Sequence, residues 1–274
     1  MTRLLEEDMH GVGEKLARYD QQLQRMTGSG LAGIAAYSVD RQPEDFLPLR
    51  DKLTIGVVPV SSGQGIITGF SQTVQQIIGF LGFSAFVTKQ KDVGGLAEAV
   101  SNGAQVIFLA DDDCFAAFHL AGGKVVDNGE ATGRGYAAAL ALMAGGLEGK
   151  RTLVLGAGPV GAGAASFLLQ QGANVSVYDI DSIKTERLRQ LMPAVKAVNE
   201  LDRALAACRL VIEATPAADT IKKKYLVPDM RIAAPGIPVG INEQCQQLIS
   251  GRFIHDVLEI GVASMLYAVL SDEC

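Results

Sequence analysis

The sequence is poor in cysteine and histidine, and neither residue has a spacing that would hold a metal. Its 274 residues include four cysteines and three histidines, all isolated. Disulfide scaffolds and zinc knuckles use closely paired cysteines, and a lone histidine is more often a surface or core residue than a catalytic base. We therefore expect no disulfide framework, no metal and a reducing compartment.

Basic runs are also scarce. The formal net charge is −6, and no block of lysine and arginine is longer than residues 222–224. A nucleic-acid surface needs clustered positive charge, so we expect no nucleic-acid partner. An acidic protein is better suited to a cationic small molecule.

Long apolar runs are absent as well. The most apolar stretch, residues 136–147, is well short of the roughly 20 residues that a membrane span requires, and it predicts a buried core helix. Near the N-terminus, Glu6, Glu7 and Asp8 occupy the place where a signal peptide needs apolar residues. The expectation is a cytoplasmic protein without a membrane partner.

Short apolar runs alternate with helical patterns and glycines, which predicts an α/β fold. A helical arm is expected over residues 3–26. The apolar runs are continuous, which is typical of parallel strands buried on both faces. Strands are predicted at residues 53–60, 85–89, 106–110, 151–155, 174–178, 210–214, 231–234 and 253–255, with helix-like stretches after the early ones.

Three segments follow from this pattern. Residues 1–146 are predicted to form an N-terminal α/β substrate domain that carries the helical arm. Residues 147–255 are predicted to form a Rossmann-like domain with a doubly wound parallel sheet. Residues 256–274 contain a tail helix that we expect to return to the first domain, where the cleft would lie.

A glycine-rich motif follows the strand at residues 151–155. Gly156, Gly158 and Gly161 form G-x-G-x-x-G, a helix follows, and the next strand ends at Asp179. The first glycine suits a tight turn, the second lets a pyrophosphate approach the backbone, and the third lets helix and strand pack closely. Asp179 would bind the ribose hydroxyls and repel a 2′-phosphate, so NAD is favoured over NADP.

Two further strand ends belong to the same half. Residues 214–216 and residues 235–238 follow apolar strands, and ligands of doubly wound sheets lie outside the carboxyl ends of the strands. Ordinary turn chemistry is the alternative. The predicted cofactor contacts are Gly156, Gly158, Pro159, Val160, Gly161, Asp179, Ala214, Thr215, Pro216, Pro235 and Gly236.

In the first half, small and acidic residues follow two strands. The backbone N–H groups of the loop at residues 61–65, which begins with Ser61, Ser62 and Gly63, could bind a carboxylate, an amide or a phosphate, although the loop lacks the lysine of a P-loop. Residues 111–113 are three consecutive aspartates, which are costly together unless they meet a cation. They indicate ammonium recognition, or else one of them caps a helix starting near Cys114.

The tail contains one acid in an otherwise apolar pattern. Glu259 either lies on an exposed stripe or points into the cleft, and the pattern leaves both open. We expect the cleft, because the small residues Gly261, Ala263 and Ser264 would let this helix pack closely against its neighbours.

Five segments together resemble the pyrrolysine synthase (PylD) family. They occur in both halves and in the family's order, namely IGVVPVSSGQGIITGF (55–70), NGAQVIFLADDDCF (102–115), EATPAADTI (213–221), PGIPVGI (235–241) and ASMLYAVL (263–270). The resemblance implies an NAD-dependent amine dehydrogenase that makes pyrrolysine. Its substrate would be a lysine whose side-chain nitrogen carries a 3-methyl-D-ornithyl group. Oxidation of the terminal amine gives an imine or aldehyde, after which ring closure releases ammonia.

The resemblance also implies site residues. Ser62, one or both of Asp111 and Asp112, and Glu259 fall on segments associated with the substrate site, whereas Asp113 departs from a basic residue of the family. The predicted catalytic residues are Asp111, Asp112 and Glu259. The predicted substrate contacts are Ser61, Ser62, Gly63, Asp111, Asp112, Glu259 and Ser264.

Two alternatives stay open. One is another two-domain NAD(P) dehydrogenase with a small polar substrate, resembling shikimate or methylenetetrahydrofolate dehydrogenases. The other is an NAD-binding regulator without turnover, in which the acids only cap helices. The oligomeric state is also open, with a homodimer as one expectation.

Overall fold

The described part of the chain, residues 4–110 and 114–273, forms two β-sheets in the computed structural model. The strands of the first sheet are β1 (Thr54–Pro59), β2 (Ser84–Val87), β3 (Val106–Ala110), β4 (Phe115–His119) and β5 (Lys124–Asp127). Their order is β2-β1-β3-β4-β5. The first three run parallel, whereas β4 is antiparallel to both β3 and β5. The first sheet is therefore mixed.

The second sheet is wholly parallel. Its strands are β6 (Arg151–Leu155), β7 (Asn174–Tyr178), β8 (Lys196–Ala197), β9 (Leu210–Glu213), β10 (Arg231–Ala233) and β11 (Phe253–Ile254). Their order is β11-β10-β9-β6-β7-β8. Counted within this sheet, that is the order 3-2-1-4-5-6 of a doubly wound nucleotide-binding fold. The predicted Rossmann-like fold class is confirmed.

Helices surround both sheets. The α-helices are α1 (Val12–Thr27), α2 (Leu31–Tyr37), α3 (Leu47–Arg50), α4 (Phe70–Phe80), α5 (Asp92–Ser101), α6 (Asn128–Met143), α7 (Pro159–Gln170), α8 (Ser182–Leu191), α9 (Leu201–Ala207), α10 (Glu243–Leu248) and α11 (Glu259–Leu270). Short 3₁₀ helices span Glu6–Met9, Pro43–Phe46, Lys223–Tyr225 and Ser250–Arg252. Helix α11 packs against α2, α4 and α6 and against β4 and β5.

The predicted helical arm is interrupted. A 3₁₀ turn at Glu6–Met9 is followed by Gly11, whose φ of 71° lies in the left-handed region, and only then does α1 begin. Glycine tolerates this conformation without a steric penalty. The chain can therefore change direction before α1, whose apolar side, including Leu16 and Leu23, is buried.

The prediction of a helix starting near Cys114 is wrong. Residues 115–119 form the strand β4, which pairs with β3 in antiparallel register from Ala110 opposite Phe115 to Val106 opposite His119. Four of the five β4 residues are buried. The sheet edge offered by β3 satisfies the backbone hydrogen bonds of this segment, so tertiary pairing decides its conformation.

Helices α6 and α7 approach each other almost backbone to backbone. A Cβ on Gly133 would overlap the carbonyl oxygen of Val160, and a Cβ on Gly163 would overlap the backbone of Glu130. The opposite face of α6 meets α11, where a Cβ on Gly135 would overlap the Ser264 hydroxyl. These contacts join the helix that follows the first sheet to the helix that follows the glycine motif.

The apolar stretch at residues 136–147 lies mostly in α6 and is largely buried, as predicted. Across residues 4–110 and 114–273, no helix is both long and apolar enough to cross a membrane.

Candidate active site

A cavity of about 980 Å³ lies between the carboxyl ends of the two sheets. The first half contributes the ends of β1 and β3, including Pro59 and Ala110, and the second half contributes Gly156, Thr215 and Gly236. A mainly apolar cavity between two units, with a few polar groups, is the usual form of a ligand site. The cavity is large enough for a dinucleotide end together with a second ligand.

The glycine motif opens into this cavity at the N-terminus of α7. Gly156 has a φ of 95°, and its Cβ would come within 2.7 Å of the Ala214 carbonyl oxygen. A Cβ on Gly161 would overlap the carbonyl of Gly156, whereas one on Gly158 would meet nothing within 4 Å. The space beside Gly158 and Pro159, at the N-terminus of α7, is therefore open, and it fits a pyrophosphate.

Asp179 lies at the end of β7 and lines the same cavity. Its Oδ2 accepts a hydrogen bond from the N–H of Ala157 at 2.8 Å, and its Oδ1 accepts one from the N–H of Asp181 at 2.9 Å. These two bonds fix the carboxylate beside the glycine motif. A carboxylate in this position suits the ribose hydroxyls of NAD.

Two more predicted loops line the cavity. Residues 214–216 follow β9, and residues 235–236 follow β10. Of the predicted cofactor contacts, Gly161 alone does not line the cavity, since it packs against the turn at Gly156.

Glu213, which was not among the predicted site residues, connects the loop after β9 with the segment after β10. Its side chain is fully buried and accepts hydrogen bonds from the N–H and hydroxyl of Thr215 and from the N–H of Gly240 at 3.0 Å. Burial raises the pKa of Glu213 to about 7, although these hydrogen bonds oppose the shift. A lone acid inside the apolar strand Leu210–Glu213 was the available sequence signal.

The loop after β1 lines a second, shallower cavity of about 460 Å³. The N–H and hydroxyl of Ser61 both donate to the carboxylate of Asp92 at 2.6 Å, which lowers the pKa of that carboxyl. Ser62 lines this second cavity, and Gly63 lines neither. Val58, Val60 and Leu109 line both cavities, so the two cavities adjoin at the ends of β1 and β3.

Asp111 and Asp112 lie outside the described residues. Ala110, which ends β3, and Phe115, which begins β4, both line the main cavity.

Glu259 begins α11 and is buried rather than exposed. Its Oε2 accepts hydrogen bonds from the N–H groups of Val257 at 3.2 Å and Leu258 at 3.0 Å, two residues that line the cavity. Glu259 itself is not among the lining residues, so it lies behind that wall. Ser264 is fully buried against Gly135, at the contact between α6 and α11, and it too lies away from the cavity.

Two curated proteins align with almost the entire chain. Pyrrolysine synthase from Methanosarcina acetivorans is 35% identical over 275 residues, covering 98% of this chain and 100% of the relative. Pyrrolysine synthase from Methanosarcina barkeri is 35% identical over 274 residues, covering 98% of each. The chain belongs to the pyrrolysine synthase family. The family model described as "Pyrrolysine biosynthesis protein PylD, N-terminal domain" also matches residues 8–126.

The second half of this pyrrolysine synthase family member matches a nucleotide-binding model. "S-adenosyl-L-homocysteine hydrolase, NAD binding domain" covers residues 135–237, and the chain is an NAD-dependent oxidoreductase. Quinate dehydrogenase from Corynebacterium glutamicum in complex with NAD has a TM-score of 0.56 at 14% identity, over 80% of this chain and 92% of that one. Shikimate dehydrogenase from Aquifex aeolicus has a TM-score of 0.56 at 15% identity, over 81% and 93%. These two similarities concern the fold.

Asp256 is a further buried acid that the sequence analysis missed. It lines the cavity, two residues after β11 ends. Its Oδ2 accepts a hydrogen bond from the Tyr19 hydroxyl at 2.6 Å, and its Oδ1 accepts one from the N–H of Ile260 at 3.3 Å. The Tyr136 hydroxyl donates to the backbone carbonyl of Asp256 at 3.1 Å and accepts from its N–H at 3.0 Å. No local pattern marks Asp256, because Tyr19 is 237 residues away in the sequence.

Proposed function

We propose that this chain carries out the last step of pyrrolysine biosynthesis. It would oxidise the terminal ornithyl amine of 3-methyl-D-ornithyl-N6-L-lysine to an imine or aldehyde, with release of ammonia and closure of the pyrroline ring to L-pyrrolysine. The observation that carries this proposal is the 35% identity to two pyrrolysine synthases over nearly the full length of each chain.

The cavity supports the same chemistry. NAD, when bound, accepts the hydride from the carbon that carries the amine. The chain's own residues hold this cofactor through the glycine motif and Asp179, and Glu213 fixes the two loops beside it. The lining of the cavity is mainly apolar, and charge interactions are stronger in apolar surroundings than in bulk water.

Acidic groups are assigned to the cationic substrate. Asp111 and Asp112 follow β3, whose last residue Ala110 lines the cavity, and we assign them to recognition of an ammonium group. Glu259 contributes negative charge from behind the wall formed by Val257 and Leu258. Such fixed carboxylates favour the positively charged imine over the neutral one.

The proposed division of labour assigns residues 1–146 to the substrate, 147–255 to the cofactor and 256–274 to a tail that completes the first unit. The packing of α11 against α2, α4, β4 and β5 supports the role of the tail. A homodimer stays a prediction, and light scattering of the purified chain tests it.

The decisive experiment is an NADH-formation assay with synthetic 3-methyl-D-ornithyl-N6-L-lysine and mass-spectrometric detection of pyrrolysine. Lysine alone, ornithine alone and shikimate serve as matched control substrates. We expect NADH and pyrrolysine to form together, and only with the ornithyl-lysine. Binding of NAD without any turnover of this substrate would contradict the proposal, and turnover of shikimate would favour the alternative dehydrogenase.

A further inference from the structure

Among the described acids that line the cavity, Asp256 is the one with a buried carboxyl group. The described acidic residues that line the cavity are Asp179, Asp219 and Asp256. Asp179 lies at the end of β7, on the ribose side of the glycine motif, and Asp219 is exposed. Asp256 is buried and bonded to Tyr19 of α1 and Tyr136 of α6, so it lies where the two halves meet.

The sheet topology places Asp256 near the reacting end of the cofactor. In this fold, each half of the sheet binds one mononucleotide of the cofactor at the carboxyl ends of the strands. With Asp179 after β7 on the adenosine ribose, the nicotinamide would lie over the half formed by β9, β10 and β11. Strand β11 is the neighbour of β10. The two strands are joined at this end by the N–H of Ala234, which donates to the carbonyl of Ile254 at 2.8 Å. Asp256 follows directly.

We propose that Asp256 accepts the proton that the substrate's terminal amine loses before hydride transfer. This inference rests on the proposed function. First the ammonium gives one proton to the Asp256 carboxylate, leaving a neutral amine and a carboxylic acid. Then the carbon–hydrogen bond breaks, its electron pair leaves as hydride to NAD⁺, and the nitrogen lone pair forms the C=N bond of a protonated imine.

The surroundings of Asp256 suit a proton acceptor. Burial raises the pKa of Asp256 well above its usual range, and the negative charge of Glu259 raises it further, while the hydrogen bond from Tyr19 lowers it. Tyr136 also hydrogen-bonds Asp256 and lowers its pKa. The preceding residue, His255, has a pKa lowered by burial. A base of raised pKa takes a proton from an amine more readily than an ordinary aspartate does.

Tyr19 positions the Asp256 carboxyl group, and a substitution of Tyr19 provides a second way to change the pKa of Asp256. Its hydroxyl donates to Oδ2 at 2.6 Å from α1, a helix with no part in the glycine motif. Removing that hydrogen bond by Tyr19→Phe raises the pKa of Asp256 further, because the bond stabilises the ionised form. Tyr19 is therefore a positioning residue rather than a catalytic one.

The test compares the parent chain with Asp256→Asn, Tyr19→Phe and the control Asp202→Asn. Asp202 also accepts a hydrogen bond from a tyrosine hydroxyl, that of Tyr225, but is exposed and does not line the cavity. Asparagine keeps the shape of the aspartate, and its one carbonyl oxygen can still accept the hydrogen bond from Tyr19, although its NH2 group cannot accept the longer one from Ile260. Urea unfolding establishes that each variant is folded before its kinetics are measured.

Single-turnover NADH formation with the ornithyl-lysine is measured across pH. We expect Asp256→Asn to slow hydride transfer about a hundred-fold or more, with NAD affinity unchanged. Tyr19→Phe should move the rising limb of the rate to higher pH, and Asp202→Asn should match the parent. Infrared difference spectroscopy of the carboxyl groups supplies a readout independent of turnover. When the substrate binds without NAD, the parent chain should lose a carboxylate band and gain a carboxylic-acid band, and Asp256→Asn should show neither change.

The outcomes separate the two proposals. A parent chain that makes no NADH from the ornithyl-lysine would overturn the proposed function itself. A parent chain that turns over, together with a folded Asp256→Asn variant that keeps the parent rate and pH limb, would overturn the role of Asp256 alone. An unchanged pH limb in Tyr19→Phe would have the same consequence even if Asp256→Asn did not fold.

Discussion

Two glycines of the same motif should respond differently to an added methyl group, one with a loss of NAD affinity and the other with a loss of fold stability. Gly158 and Gly161 are three residues apart, yet a Cβ on Gly158 meets nothing within 4 Å, whereas a Cβ on Gly161 overlaps the carbonyl of Gly156 and lies 3.4 Å from Val154. We predict that Gly158→Ala leaves the fold intact and weakens NAD binding. Gly161→Ala should destabilise the fold itself.

The structure sets the size of each effect. For Gly158→Ala, φ is −78° and ψ is −173°, which alanine adopts readily. Alanine is a poorer N-cap than glycine, which destabilises the fold by roughly 0.5 kcal/mol. Alanine also has less conformational freedom than glycine in the unfolded chain, which stabilises the fold by about the same amount. Displacing a pyrophosphate from its N–H donors costs about 1.5 to 3 kcal/mol, or roughly 10- to 150-fold in the dissociation constant. For Gly161→Ala, overpacking against rigid backbone costs about 1 to 3 kcal/mol or more.

Urea unfolding without NAD and fluorescence titration with NAD measure the two quantities separately. The expected result is a parent-like unfolding midpoint with weak NAD binding for Gly158→Ala, and a lowered midpoint for Gly161→Ala. The parent chain, unfolded with and without NAD, is the control for ligand stabilisation. Parent-like NAD affinity in Gly158→Ala would refute the assignment of the open space to the pyrophosphate.

Three further predictions concern titrating and charged groups. Asp179→Ala should narrow the preference of kcat/KM for NAD over NADP by about ten- to hundred-fold, measured with both cofactors. Asp111→Asn and Asp112→Asn should each lower kcat about ten- to hundred-fold with NAD affinity unchanged, and parent rates in both would contradict their role in substrate recognition. The raised pKa of Glu213 means that the folded chain binds the extra proton, so its contribution to stability is lost as pH rises from 4.5 to about 7. Relative to the parent, Glu213→Gln should therefore gain up to about 3 kcal/mol of unfolding free energy across this window, and a constant difference in urea melts would contradict the shift.

The second half was predictable because its signals are local. Strands β6 and β7 have the predicted limits, and the glycine motif and Asp179 lie within one strand–helix–strand unit. Ten of the eleven predicted cofactor contacts line one cavity, and the eleventh, Gly161, has the close-packing role expected of the third glycine. Here, turn geometry and apolar runs act over a few residues, so the sequence alone carries the information.

The first half was harder because distant partners decide its structure. Residues 115–119 become a strand only because the edge of β3 is available. Asp256 acquires its surroundings from Tyr19 and Tyr136, which are 237 and 120 residues away. Ser61 faces Asp92 and a second cavity rather than the main one. None of these contacts leaves a periodic signature in the sequence.

The close packing of α6 against α7 determines where the sequences of two relatives can be joined in a chimaera. Gly133 and Gly163 lie against the backbone of the opposite helix, so the effects of substitutions in the two helices are coupled. A chimaera that exchanges the cofactor half between two relatives should therefore carry α6 with α7. The favourable crossover lies between β5 and α6, because a crossover at Gly145 and Gly146, which follow α6, would separate α6 from α7.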